Sequence, residues 1–143
     1  MAAVLDTSLI VRYLTGDPPH LAHQARTVIE GADEFLIPAV ALAETAHVLR
    51  SVYGVDRGHV IDVLAKLLSM PHISLDGLDT AAVVAALEWC RPSTRVSIPD
   101  VLIWAAACLQ IPAEVYTFDE RFPTARVHVI NPACSRGVAT GQN

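Results

Sequence analysis

Short apolar segments of strand character alternate with longer stretches of helical periodicity along almost the whole chain, and this alternation most limits the fold. Residues 2–5, 34–37, 72–75, 114–117 and 126–130 read as strands. Between them, about 7–15, 18–31, 38–53, 57–69, 79–91 and 99–110 read as helices. Val60, Ile61, Leu64, Leu67 and Leu68 recur at i, i+1, i+4, i+7 and i+8, a wide apolar helical stripe. Leu42, Ala46 and Leu49 form another. Gly16-Asp17-Pro18-Pro19 separates the first two helices, its proline suited to a first helical turn. Strands alternating with helices predict a parallel sheet flanked by helices. The pattern holds over residues 1–130 as one domain, and 131–143 reads as a loose polar tail.

Composition narrows the class further. With 52% hydrophobic and 17% charged residues, the chain has the means to bury a core and is not generally disordered. The apolar run 101–109 is about half of what a membrane span requires, and no basic stretch precedes the apolar N-terminus. A soluble, cytoplasmic protein without membrane partners is expected. Cys90, Cys108 and Cys134 are widely spaced, which fits reduced, mostly buried thiols better than a disulfide framework or zinc site. The net charge of −5 argues against gripping nucleic acid by bulk electrostatics.

The chemistry concentrates in four acids that each follow an apolar stretch: Asp6 after MAAVL, Glu44 after FLIPAVALA, Asp100 within VSIPDVLIWAAACLQIPA, and Asp119 after VYTF. A carboxylate in apolar surroundings needs a compensating cation or hydrogen-bond donors. Each has a local reading. Asp6 fits an N-cap, Ser97 to Asp100 a capping box with proline, Thr117 to Glu120 a second such box, and Glu44 the opening turns of a helix. Jointly they say more. Asp6 and Asp119 end predicted strands, and the helices bearing Glu44 and Asp100 can start at the same sheet edge, where sites of parallel α/β folds gather. Converging carboxylates need a cation, and oxygen ligands suit Mg²⁺, with Mn²⁺ as a substitute. Such an ion favours phosphodiester hydrolysis.

The segments VLDTS (4–8), ALAETAHVL (41–49), SIPDVLIWAAA (97–107) and YTFDERF (116–122) resemble, in order, the four acidic motifs of PIN-domain ribonucleases. The resemblance implies a three-layer α/β/α sandwich around a mainly parallel sheet and a metal-dependent endoribonuclease. It maps the metal-binding, catalytic acids onto Asp6, Glu44, Asp100 and Asp119, with Thr7, Ser8 and Thr117 nearby. The compact size is most similar to VapC-type toxins of toxin–antitoxin pairs, which implies a homodimer, an RNA substrate and an antitoxin that covers the acidic pocket.

Other residues have weaker claims. Arginine outnumbers lysine nine to one, and Arg12 and Arg121 lie nearest the motif acids as candidate RNA contacts. His20 and His23 read as surface residues, His47 as structural, Trp89 and Trp104 as packing, and Glu120 as a capping acid. A phospho-accepting receiver domain would need an acidic pair after the first strand and a lysine at a late strand end. Here Asp6 stands alone and Lys66 lies within a helical stripe. Two further alternatives stay open: a catalytically silent fold of this family used for binding, and an RNA-processing nuclease that is not a toxin.

Overall fold

A computed structural model describes residues 2–134. The strands are β1 (Ala3–Val4), β2 (Phe35–Ile37), β3 (Ile73–Leu75), β4 (Glu114–Tyr116) and β5 (His128–Ile130). The helices are α1 (Thr7–Thr15), α2 (Pro19–Ile29), α3 (Ala39–Ser51), α4 (Arg57–Leu68), α5 (Thr80–Trp89) and α6 (Ile98–Cys108). Every predicted element is present, most of them a residue or two shorter at the ends. That shortening is expected, because periodicity runs on through the frayed ends that hydrogen bonding excludes.

All strand pairing among the described residues is parallel. β2 is central to a set ordered β1-β2-β3, with Phe35 opposite both Ala3 and Ile73. β4 and β5 form a second pair, with Val115 opposite Val129. Backbone bonds extend the ladders past the strand ends, from Leu5 N–H to the Leu36 carbonyl (2.9 Å) and from Thr117 N–H to that of Ile130 (3.0 Å). Parallel strands need crossovers, and the six helices supply them while covering the sheet, giving the three-layer α/β/α arrangement.

One contiguous core runs through the molecule. Phe35, Ile37, Ile73, Leu75 and Val115 enter it from the strands, and the stripe on α4 meets them with Val60, Ile61 and Leu64 fully buried. Trp104 on α6 is buried against Trp89, edge to face with ring centroids 5.5 Å apart. The guanidinium of Arg126 lies over its ring. Trp104 also donates its indole N–H to the Ala125 carbonyl, tying α6 to the segment after β4. Trp104 therefore packs as expected, while Trp89 meets it with one edge and leaves much of its ring exposed.

Two expectations need correction. Only Cys90 is buried; Cys108, the last residue of α6, is half-buried against the edge of the core, and Cys134 is exposed in the turn after β5. No helix follows Thr117. Its hydroxyl instead accepts the Asp119 N–H (3.0 Å), and Asp119 Oδ1 accepts the Arg121 N–H (2.9 Å), so these residues make consecutive turns that Pro123 closes off from helix formation. The tail beyond 134 lies outside the described residues.

Candidate active site

The chain leaves β1 extended, and Asp6 takes the N-cap position of α1 with φ −85° and ψ 156°. Its Oδ2 accepts the Ser8 hydroxyl at 2.7 Å and the Ser8 N–H at 3.2 Å. The Ser8 hydroxyl and backbone N–H together hold the Asp6 carboxyl below the usual carboxylate range; burial opposes them weakly, and the Thr7 N–H assists. Asp6 is exposed at the mouth of a cleft. It is therefore an ionised, accessible and oriented carboxylate.

Glu44 reaches the same place from α3, which starts immediately after β2. The apolar face of α3 buries Ala41, Leu42, Thr45, Ala46 and Leu49, so Glu44 points outward. Thr7 is largely buried, and its hydroxyl donates to Glu44 Oε2 at 3.2 Å. That bond joins the end of β1 to the second turn of α3. Asp6, Thr7, Ser8, Arg12, Glu44 and Tyr53 line a cleft of about 370 Å³.

Arg12 and Tyr53 are held at its rim. Arg12 Nη1 donates to the Asp17 carbonyl (3.2 Å) and the Tyr53 hydroxyl (3.4 Å), while Tyr53 donates to Asp17 Oδ2 (3.1 Å). Arg12, a candidate RNA contact, thus faces the acids with a fixed guanidinium. Tyr53 was no sequence candidate. It lies in no motif, and only the turn after α3 brings it back over α1. Arg121 is exposed and carries its side chain outside this cleft.

Asp100 sits where its sequence placed it, third in α6. Its Oδ2 accepts the Ser97 N–H (2.9 Å) and its own N–H donates to Ser97 Oγ (3.1 Å), a complete capping box with proline in the first turn. Asp119 is exposed on the turns after β4, with Thr117 fixing its backbone. Neither Asp100 nor Asp119 lines the Asp6–Glu44 cleft. Among the described residues, no group of three or more acids, histidines or cysteines is close enough to enclose a metal ion. The cleft itself offers two carboxylates and two hydroxyls. Mg²⁺ keeps much of its water and is held by one or two carboxylates together with substrate phosphates, so this donor set fits it.

His20 and His23 are exposed, as expected of surface residues. His47, expected to be structural, is exposed on α3 and lines a different cleft with Arg50, Arg57 and Arg95. The parallel α/β fold thus sets one strand-end acid, Asp6, and one helix acid, Glu44, on a single polar cleft at the sheet edge where sites of such folds gather. The PIN domain family model matches residues 3–127, and the chain belongs to that family. PIN domains are commonly nucleases, and PIN nucleases act on RNA with divalent metals. Searches of curated proteins and of solved structures each return no match to this chain.

Proposed function

We propose that this protein is a Mg²⁺-dependent endoribonuclease that cuts RNA phosphodiester bonds with an activated water and serves as the toxin of a type II toxin–antitoxin pair. The observation that carries the catalytic reading is the Thr7–Glu44 hydrogen bond, which sets Glu44 beside the capped Asp6 in one accessible cleft. Asp6 and Glu44 would hold the ion, and Asp100 and Asp119, which lie outside this cleft, would reach it only through bound water. A divalent ion bound there would supply Lewis acidity toward the phosphodiester and would neutralise the carboxylates that otherwise repel an RNA backbone.

The chain's own residues do the rest. Ser8 keeps Asp6 ionised and aimed. Thr7 occupies one oxygen of Glu44, leaving Oε1 free to take a proton from the attacking water. The water oxygen bonds to phosphorus, the bond to the leaving oxygen breaks, and that oxygen is protonated from solvent. Arg12, held by Tyr53 and Asp17, meets a phosphate oxygen at the rim.

As a toxin the protein would act in the cytoplasm as a homodimer, with a small antitoxin segment covering the acidic cleft. No helix of the described residues is long and apolar enough to cross a membrane, which is compatible with that setting. Purified protein should cleave RNA with Mg²⁺ or Mn²⁺ and stop when the metal is chelated, and its expression should arrest growth unless a neighbouring gene is co-expressed. Cleavage without growth arrest identifies an RNA-processing PIN nuclease instead. Metal-independent cleavage, or RNA binding with no cleavage, overturns the mechanism.

A further inference from the structure

We propose that a second cleft, on the other flank of α3, is a binding site for the phosphate backbone of single-stranded RNA. This deepens the ribonuclease reading and rests on it. The cleft has a volume of about 400 Å³ and is lined by His47, Arg50, Arg57, Arg95 and Ser97 together with small and apolar residues. No aspartate or glutamate lines it, although the whole chain carries a net charge of −5. Three guanidiniums lining one cleft without an acid repel one another, and an anion is the complement that relieves this.

Three other arginines are committed elsewhere. Arg91 is fully engaged, bonding Asp62 at 2.7 Å and Glu88 at 3.0 Å. Arg126 covers Trp104, and Arg12 is tied to Asp17 and Tyr53. The side chains of Arg50 and Arg95, like those of Arg26 and Arg121, make no hydrogen bond or salt bridge among the described residues; what sets Arg50 and Arg95 apart is that they share one cleft. Arg57 is half-committed. Its Nη2 donates to the Cys90 carbonyl at 3.0 Å, while its Nε is buried with no partner. A buried guanidinium N–H without an acceptor is costly, so Arg57 carries an unmet donor beside the cleft.

Geometry connects this cleft to the acids. Ala43, Ala46, His47 and Arg50 fall at i, i+3, i+4 and i+7 on α3, so one face of the helix forms its wall. Glu44 and Val48 lie on the neighbouring face and line the acidic cleft. The opposite wall ends in Ser97, the residue whose hydroxyl and N–H fix Asp100. A strand with one phosphate at Glu44 would carry flanking phosphates over α3 into the arginines. Phosphodiesters suit them because guanidinium forks pair bidentately with phosphate oxygens.

The test measures binding of a 2′-O-methylated, non-cleavable single-stranded RNA in chelator, across a range of salt concentrations, so that it needs neither metal nor turnover. Arg50→Ala/Arg95→Ala, which removes two side chains with no partners, should bind about 10-fold more weakly with a salt slope lower by about 1.4. In cleavage with Mg²⁺, its KM should rise much more than its kcat falls, and Arg50→Lys/Arg95→Lys should recover part of the affinity. Because the RNA cannot be cut and the chelator removes metal, the binding result does not depend on turnover, which separates the site from the catalytic reading. If wild type binds the RNA but cleaves nothing, the nuclease reading fails and this site stands. Equal RNA affinity and salt slope in the Ala pair overturn the site. So does loss of binding to an acidic peptide alone, which would make the cleft a protein-docking surface.

Discussion

The Thr7 hydroxyl donates a hydrogen bond to Glu44 Oε2 at 3.2 Å, joining two residues 37 positions apart in sequence. The bond is part-buried, and it orders the acid without neutralising it. Thr7→Val keeps the shape of the side chain and removes the donor. Cleavage should fall by about 10–100-fold, as for other groups that orient a ligand carboxylate, while the melting temperature changes little. Thr7→Ser should restore most of the rate in the same single-turnover assay.

Ser8 controls the ionisation of Asp6. Because the folded pKa lies below the ordinary 3.8, the stabilisation from this contact is fully present above pH 3.8 and is lost as pH falls through the folded value. Ser8→Ala should move the Asp6 carboxyl upward toward the ordinary range in an NMR titration. Its melting temperature should lie below that of wild type at neutral pH and converge with it under strong acid.

Ser97 caps α6 and fixes Asp100 through a reciprocal pair of bonds. Ser97→Ala should cost about 1 kcal/mol in urea unfolding, the usual loss for an N-cap hydroxyl. The slope of that transition should stay unchanged, since the surface exposed on unfolding is the same.

Trp104 lies one turn after Asp100, and its N–H holds the Ala125 carbonyl in the segment that follows Asp119. Trp104→Phe loses that bond and part of the edge-to-face contact with Trp89. Stability should drop by about 1–3 kcal/mol. Hydrogen exchange should speed up selectively in residues 117–127, where the Arg121 and Phe122 amides both bond to Asp119.

Much of this fold is legible in the sequence because burial imposes a period. Val60, Ile61 and Leu64 announce α4, and all are fully buried. Asp6 and Ser97 announce helix starts, because capping needs only residues within three positions of each other. The site is less legible, since its contacts run between distant elements. Nothing local to Thr7 points to Glu44, and nothing around Tyr53 points to Arg12. The basic cleft escapes sequence reading for the same reason: Arg50, Arg57 and Arg95 each look like solvated surface until the fold gathers them beside His47. The opposite failure occurs at Thr117–Glu120, whose capping pattern is satisfied by turns instead of a helix.

The most direct measurement is single-turnover cleavage of a labelled RNA in Mg²⁺ by wild type and by Asp6→Asn, purified identically and free of contaminating nuclease. Asn preserves the cap of α1 and its exposed position while removing the charge, so the fold should survive by circular dichroism and thermal melting. Loss of cleavage by at least about 100-fold, with the fold intact, is the predicted result. Cleavage by Asp6→Asn at the wild-type rate would contradict the proposal that this carboxylate carries the metal-dependent chemistry.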